Sequence, residues 1–302
     1  MSEHISFHDE IQKNKLKSIL LIVVIFILFI ILGYVISMIL DPSYFFIIMV
    51  FATIFSLSYV LISYYNSDKI ALASVKAKLA SSTEHRVFYH AAESMSIASG
   101  LPMPKLYVME SEEINAFASG RNPEKAVICV TTGALKKLNK QELEGVIAHE
   151  MSHIANYDIR FMTLTAVLIG MVSIIAQMFL RGLWFTNIGK NRDGRAQIFL
   201  IIIGIIFAIL APIAAQIVSL AISRKREFGA DATGVKFTRY PVGLANALKK
   251  IKSEHISERE KKSRFPKAMA PLFISDPFKR KVQNLFSTHP NIDDRIRKLE
   301  SM

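Results

Sequence analysis

The sequence predicts a multi-span α-helical membrane protein that carries a mainly α-helical (α+β) water-exposed domain. Three observations lead to this fold class: 51% of the 302 residues are hydrophobic, the mean hydropathy is +0.32, and 21% of the residues are nevertheless charged. Apolar membrane spans joined to a soluble domain produce this mixture. Cys129 is the single cysteine, which excludes an intramolecular disulfide.

Two apolar runs near the N-terminus predict a transmembrane hairpin at residues 18–64. Ser18–Leu40 and Tyr44–Tyr64 are uncharged, and each is long enough to cross a hydrocarbon core of about 30 Å as a helix. The turn between them, Asp41–Ser43, holds no Lys or Arg, whereas lysines flank the hairpin on both sides. The positive-inside rule therefore predicts that residues 1–17 and the region after the second run are cytoplasmic.

Residues 65–160 are mixed in composition and predict a cytoplasmic α+β segment. Helical patterns cover 67–82 and 85–99. Short β-type runs are predicted at Lys105–Met109, Ile114–Ala118 and Ala126–Thr131. A helix over 140–157 should follow, because Asn139 can cap its N-terminus and Glu142 occupies the reciprocal capping-box position.

Two further apolar runs, Phe161–Leu180 and Ile198–Ile222, predict a second transmembrane hairpin at residues 161–222. The loop at 181–197 carries more positive than negative charge, which is unusual for an exterior loop. The two runs are therefore either full spans or a hairpin that does not cross the bilayer completely. Residues 223–302 are basic and mostly helical in pattern, and we expect them to share the cytoplasmic domain with the first soluble segment.

The net charge of +12 indicates which partners to expect. In a membrane protein, excess Lys and Arg mark cytoplasmic loops and contacts with anionic lipid headgroups. No basic recognition module is present, so the sequence predicts the lipid bilayer as a partner and no nucleic acid. The oligomeric state stays open.

His149-Glu-Met-Ser-His153 is an HExxH sequence on the predicted helix over 140–157. Positions i and i+4 of a helix lie one turn apart on one face, so both imidazoles can bind one Zn²⁺. Glu150 then lies beside the metal, where it can accept a proton from the attacking water as a general base. The pattern is short enough to arise by chance, so it needs a third ligand in its support.

Glu227 is the predicted third ligand. A catalytic zinc takes three protein ligands and leaves one position for water. A helix over Ser223–Asp231 would present Glu227 and Asp231 one turn apart, and Asp231 could then accept the free ring N–H of His149. The alternative is that both carboxylates only neutralise the basic residues 224–226 on a solvated helix face.

With these motifs in place, the chain resembles the HtpX-type membrane zinc metalloproteases, which are distantly similar to the CAAX prenyl proteases. The resemblance covers nearly the whole chain. It is carried by the paired N-terminal spans and by Ile114–Ala118, Thr131–Leu135, His149–His153, Glu227–Asp231, Ser287–Pro290 and Arg295. It implies a zincin-like cytoplasmic metalloprotease domain, anchored by several spans in the cell inner or plasma membrane.

The resemblance also implies the roles of individual residues. One Zn²⁺ per chain would be held by His149, His153 and Glu227. Glu150 would be the general base, and Asp231 would accept a hydrogen bond from a ligating histidine. The substrates would be unfolded or membrane proteins, misfolded or damaged by stress. Since His153 closely precedes the third apolar run and Glu227 closely follows the fourth, the zinc should lie near the cytoplasmic membrane interface.

The family's Asn115, Ala116, Phe117 and Ala118 resemble an edge strand beside the active-site helix. An extended substrate can add to such an edge through main-chain hydrogen bonds, which are indifferent to side chains. The alternative is an ordinary buried strand with Phe117 in the core. Both interpretations can hold together.

His289 and Arg295 complete the candidate residues. An unpaired surface histidine usually has no catalytic role, but the family similarity implies that His289 donates a hydrogen bond to the oxyanion of the tetrahedral intermediate. Arg295 should pair with a carboxylate and order the C-terminal tail. The remaining histidines have no partner at ligand spacing and receive no role.

The sequence therefore predicts a membrane-bound zinc metalloendopeptidase. One alternative is a processing protease that clips a single defined substrate, which would prefer a large intramembrane chamber that four spans are too few to build. Another is a non-enzymatic membrane scaffold in which the histidines are only structural. The scaffold predicts no activity that depends on zinc.

Overall fold

The computed structural model describes residues 7–39, 42–167, 170, 224–257, 269, 272–274 and 290–302. The predicted loop at 181–197, the run Ile198–Ile222, most of Phe161–Leu180 and His289 lie outside the described residues. Whether residues 161–222 form two full spans therefore stays a prediction.

Two long helices open the described chain. Helix α1 covers Phe7–Ile39 and helix α2 covers Phe45–Tyr65, with a 3₁₀ turn at Pro42–Tyr44 between them. Both are long and apolar enough to cross a membrane, by length and composition. Helix α1 begins well before the apolar run Ser18–Leu40, because its polar first turns contact the soluble domain through Asn14.

The exposed side of helix α2 is more apolar than its buried side. Its buried residues are Ser56, Tyr59, Val60 and Ser63. In contrast, Phe46 and Phe51 are 76% and 69% exposed. Apolar side chains outside and small polar groups at the helix–helix contact are typical of helices packed in lipid, so the hairpin is consistent with membrane association.

A four-stranded sheet lies at the centre of the soluble domain, with the strand order β1-β2-β4-β3. Strands β2 and β4 are parallel and the other pairs are antiparallel. The strands are β1 (Lys78–Leu79), β2 (Lys105–Met109), β3 (Ala116–Ser119) and β4 (Val127–Thr131). The three predicted strands are confirmed, β2 with both its bounds, and β3 lies at an edge of the sheet.

The helix predicted over 67–82 is wrong beyond its first two turns. Helix α3 covers Ser67–Ser74, and Lys76 then adopts a left-handed φ of 54°, a conformation that ends a helix. Strand β1 follows and pairs with β2, Lys78 opposite Val108. Main-chain pairing at the sheet edge outweighs the local helical pattern here. The second predicted helix is confirmed as α4, Arg86–Ser99.

The sheet separates two parts of the core, and its strands alternate between them. On β3, Ala116 and Ala118 face the larger part, which they share with helix residues such as Ile147. Phe117 faces the smaller part, where its ring meets Phe273 edge-on with centroids 5.5 Å apart. Successive side chains of a strand point to opposite faces, so only small residues lie between β3 and the helices.

The HExxH sequence lies on helix α6 (Lys140–Ala155). The other described helices of the soluble domain are α5 (Thr132–Lys137), α7 (158–167), α8 (Arg224–Thr238), α9 (Pro241–Ser257) and α10 (Ile292–Glu300). Helix α6 packs against α4, α8, α9 and β3. Its predicted capping box is present, since Glu142 N–H donates to Asn139 Oδ1 at 2.9 Å and Asn139 N–H donates to Glu142 Oε2 at 2.8 Å.

We expect Gly145→Ala to destabilise the protein. A Cβ at Gly145 would lie 2.6 Å from the main-chain nitrogen of Leu244 on α9, so α6 and α9 would have to separate, at a cost of about 1–3 kcal/mol. Thermal unfolding of the detergent-purified protein measures the effect.

Gly229→Ala on helix α8 is the matched control, because no atom lies within 4 Å of a Cβ built there. Alanine at this exposed helical position should leave the stability unchanged or raise it by up to about 1 kcal/mol. Equal unfolding temperatures for the two variants would contradict the close contact of α6 with α9.

Candidate active site

Helix α6 buries its HExxH residues instead of exposing them. His149, Glu150 and His153 are 1%, 2% and 4% exposed. The two imidazole rings lie edge to face, with centroids 4.8 Å apart and an interplanar angle of 89°. Since they are one helical turn apart, both rings point into the same enclosed space.

Helix α8 brings two carboxylates to these histidines. Glu227 and Asp231 are 3% and 2% exposed, so they do not lie on a solvated face with the neighbouring basic residues. Gly234, one turn further on, makes the approach close: a Cβ there would lie 3.1 Å from the main-chain nitrogen of His149. This glycine was missed by sequence reasoning, although it follows Asp231 by three positions, about one helical turn.

Three donor atoms converge on one point. His149 Nε2 lies 3.7 Å from Glu227 Oε2, and His153 Nε2 lies 3.7 Å from Glu227 Oε1. All three residues offer ligand atoms within 4.8 Å of one another. Donors about 2.0–2.2 Å from a tetrahedral metal are about 3.3–3.6 Å apart, so this group fits a metal ion.

A carboxylate lies behind each histidine. His149 Nδ1 is 2.9 Å from Asp231 Oδ1, which is the predicted contact. His153 Nδ1 is 3.0 Å from Asp158 Oδ2, on the first turn of α7. Because a carboxylate accepts the Nδ1–H, both rings present Nε2 to the metal position.

Arg295 on helix α10 clamps the α8 carboxylates. Its Nε and Nη2 donate to the two oxygens of Asp231 at 2.8 and 2.6 Å. Its Nη1 lies 3.3 Å from Glu227 Oε2 and also donates to the Ile274 carbonyl at 3.1 Å. The predicted pairing of Arg295 with a carboxylate is confirmed, and Arg295 lies within the site instead of only ordering the tail.

The site concentrates negative charge. Four carboxyl groups, those of Glu150, Asp158, Glu227 and Asp231, are each at most 3% exposed. The buried guanidinium of Arg295 faces two of them. Buried charges are costly unless they are paired, so a divalent cation among these groups is electrostatically favourable.

The ionisable groups respond to this environment. Burial raises the pKa of the Glu150 carboxyl, although both histidines and a hydrogen bond from the Ala118 main chain oppose the shift. Burial would also raise the pKa of Asp231, but the charge and hydrogen bonds of Arg295 outweigh it and hold that pKa below its usual range. Arg295 therefore favours the ionised form of Asp231, whereas burial favours the protonated form of Glu150.

Strand β3 borders the site through its main chain. Thr131 N–H donates to Asn115 O at 3.0 Å, so by antiparallel alternation the main-chain groups of Ala116 and Ala118 point away from β4. The Ala118 N–H acts against burial on the pKa of the Glu150 carboxyl and favours its charged form, and Ala116 O accepts a hydrogen bond from Ile274 N–H at 3.0 Å. The predicted edge is present, but its side chains are buried and part of it is already paired.

Comparison with protein families matches residues 82–302 to Peptidase family M48. The chain belongs to this family. The matched range contains both histidines, all four carboxyl groups and Arg295. A relative called "Protease HtpX homolog" from Caldanaerobacter subterraneus subsp. tengcongensis is 46% identical over 256 residues, 84% of each chain.

Other relatives extend the similarity along the chain. The "Protease HtpX homolog" of Dictyoglomus thermophilum is 40% identical over 297 residues, 98% of this chain and 95% of its own. The solved structure of S. mikatae Ste24p has a TM-score of 0.48 and 19% identity, over 95% of this chain and 65% of that one. The predicted HtpX-type relationship is confirmed, and this M48 chain is a member of a protease family.

Sequence reasoning missed Asp158 and the position of Arg295 within the site. Asp158 follows His153 by five positions across a helix break, a spacing that could have drawn attention to it. Arg295 was predicted to pair with a carboxylate and order the tail, without a place beside the histidines. His289, to which the resemblance assigns the oxyanion, lies outside the described residues, and its role stays a prediction.

We expect zinc binding to release a proton from His153. Burial lowers its pKa, but the hydrogen bond with Asp158 and the charge of Glu227 outweigh burial and raise the pKa to about 9 in the metal-free site, above the usual 6.5. The proton therefore stabilises the metal-free fold below about pH 6.5, and this contribution is lost as the pH rises through about 9.

Zn²⁺ binds neutral imidazole and must displace this proton. Its apparent affinity should rise about tenfold per pH unit from about pH 7 towards about pH 9. Calorimetric titration in two buffers of different ionisation enthalpy counts the released protons. Zinc binding without proton release would show that His153 is already neutral.

Proposed function

We propose that this M48 chain is a membrane-bound, zinc-dependent endopeptidase that hydrolyses peptide bonds of misfolded or damaged membrane proteins. One observation carries the proposal: His149, His153 and Glu227 place three ligand atoms within 4.8 Å of one another, beside the buried carboxyl of Glu150. Two imidazoles and a carboxylate are a donor set of catalytic zinc. Family membership supports the protease activity.

When bound by these three residues, Zn²⁺ supplies a Lewis acid that polarises the scissile carbonyl. Glu150 performs the proton transfers: its carboxylate accepts a proton from the attacking water and later donates it to the leaving amine. The main-chain N–H of Ala118 favours the ionised form of this carboxylate. Burial raises its pKa, which brings the carboxyl closer to the operating pH at which such a group works best.

The substrate would bind in extended form along the outward main chain of β3. Pairing through the groups of Ala116 and Ala118 does not depend on substrate side chains, which suits broad cleavage of unfolded segments. Ile274 N–H now occupies the Ala116 carbonyl, so a substrate that pairs with this carbonyl must replace that contact. This is the proposed role of residues 115–118, while Phe117 also fills the core.

The proposed location is the cell inner or plasma membrane, which the chain would cross several times, with the active site on the cytoplasmic side. The exposed apolar surface of α1 and α2 supports membrane anchoring. The positive-inside pattern around these helices supports the cytoplasmic orientation. A role in the response to stress follows from the kind of substrate proposed.

We predict that Glu150→Gln retains zinc and loses cleavage. The amide cannot accept the proton of the attacking water, so casein hydrolysis should fall by about 10²–10⁴-fold, while the three ligands stay in place. Zinc content and casein cleavage are measured on detergent-purified protein, with and without a chelator.

Glu144→Gln on the same helix is the matched control, because its side chain is partly exposed and makes only a 3.9 Å ion pair with Lys140. It should retain both zinc and activity. A Glu150→Gln variant that cleaves casein would overturn the role of Glu150. Wild type that holds no zinc would favour the scaffold, and wild type that holds zinc without cleaving casein would favour a processing protease with one defined substrate.

The topology predicts which sites an impermeant thiol reagent can reach. Cys129 is fully buried, so the native cysteine gives little background. Ser43→Cys, in the exposed turn before α2, should be labelled on intact cells. Glu124→Cys, exposed in the soluble domain, should be labelled only after the membrane is permeabilised, and the reverse pattern would invert the orientation.

A further inference from the structure

Helix α1 reaches the back of the metal centre through Asn14. This side chain is 5% exposed. Its Nδ2 donates to Asp158 Oδ1 at 2.7 Å and to the main-chain oxygen of Asn156 at 3.1 Å. The other oxygen of Asp158 lies 3.0 Å from His153 Nδ1. A continuous chain of hydrogen bonds therefore runs from helix α1 to an imidazole that faces the metal position.

The turn that carries Asp158 depends on the same contacts. Tyr157 has a left-handed φ of 57°, a conformation that is unfavourable for a residue with a side chain and persists only where the surroundings impose it. Asn14 holds the carbonyl before Tyr157, and Lys15 Nζ lies 4.7 Å from the centroid of the Tyr157 ring. Two successive residues of α1 thus hold a turn whose geometry returns Asp158 to His153.

Packing fixes α1 against this region. Leu21 and Ile25 of α1 are 4% and 5% exposed, and they pack in one cluster with Phe161 and Leu164 of α7. Asp158 lies on the first turn of the same α7 helix. The position of Asn14 is therefore set by an apolar contact between α1 and α7, which lies about two to three helical turns from Asn14 along α1 and about one to two turns from Asp158 along α7.

Arg226 also approaches the Asp158 oxygen that Asn14 holds. Its Nε lies 3.9 Å from Asp158 Oδ1, beyond hydrogen-bond distance. The amide of Asn14, at 2.7 Å, is the closer partner of this oxygen. Asn14 can set the direction of the carboxylate, whereas Arg226 contributes charge.

We propose that Asn14 is a positioning residue of the metal centre, through which helix α1 fixes the orientation of the ligand His153. It acts by holding Asp158, and Asp158 holds the His153 ring with Nε2 towards the metal. A residue of the first membrane-type helix thus supports the metal centre. The affinity of the metal centre for zinc therefore depends on how helix α1 packs against the soluble domain. The inference rests on the proposed function in taking His153 as a zinc ligand.

The test is the zinc affinity of full-length, detergent-purified Asn14→Leu, measured by competition with a chromophoric chelator. Leucine has a similar size but donates no hydrogen bond. Partners of a metal-bound histidine change metal affinity by about 10–100-fold, and we expect the lower end, about tenfold weaker binding. The visible spectrum of the Co²⁺-substituted variant should also change, because it reports ligand geometry.

Ser18→Ala is the matched control. Ser18 is a buried polar residue one turn further along α1, and its hydroxyl donates to the Asn14 carbonyl at 2.8 Å. Its hydrogen bond lies within α1 and does not involve the Asn14 amide that holds the turn at 156–158, so this variant should keep the affinity and the Co²⁺ spectrum of wild type. Thermal unfolding of the metal-free variants shows whether Asn14→Leu simply misfolds. If it does, Asn14→Ala, which removes the amide without adding bulk or charge, replaces it and should show the same weaker zinc binding.

A double-mutant cycle tests the route through Asp158. In the Asp158→Asn background, Asn14→Leu should cause little further loss of affinity, because the two residues act in series. Unchanged zinc affinity in Asn14→Leu, or a full additive loss in the double variant, would overturn the inference. Failure of wild type to bind zinc would instead overturn the proposed function, so the two failures are distinguishable.

Discussion

The close approach of helices α6 and α8 is the constraint on which the site depends. Gly234 permits it, since a side chain there would press on the main chain at His149. At this separation, Glu227 reaches both histidines and Asp231 supports one of them. A wider crossing would separate Glu227 and Asp231 from the histidines and leave Arg295 as the charged group that faces both carboxylates, and a buried charge that loses a partner is costly.

Arg295 and Asn14 extend this constraint to both ends of the chain. Arg295 neutralises Asp231 from helix α10, and Asn14 holds Asp158 from helix α1. Each polar group behind the histidines is thus hydrogen-bonded, which a buried network requires if it is to specify one arrangement. The histidine rings are held from behind on two independent sides, so their Nε2 atoms stay directed at the same point.

Strand β3 explains how one short segment can serve both packing and recognition. Phe117 of this strand fills the smaller part of the core. Ala116 and Ala118 point to the opposite face, where their small side chains keep the strand close to α6. The small side chains allow the Ala118 main chain to reach Glu150. A bulkier residue at either alanine would move the edge strand away from the site.

Local pattern predicted several elements well. The capping box of α6, the strand β2 and the two N-terminal helices follow from residues that are close in sequence, and the structure has them. The pattern over 67–82 failed after Ser74, because pairing of β1 with β2 is a long-range contact that a local window does not contain. Glu227 was found because zinc chemistry demands a third ligand, although its own neighbours pointed to a solvated face.

The sequence by itself determined the HExxH spacing, the place of Glu150 between the histidines, the apolar runs and the family to which the chain belongs, because each depends on short segments or on their order. Only the tertiary structure decided the partners behind the metal ligands. Arg295 lies 64 positions from Asp231, and Asn14 lies 144 positions from Asp158. Such pairs depend on how helices pack around a buried charge. This packing cannot be predicted from the pattern of residues within one helix.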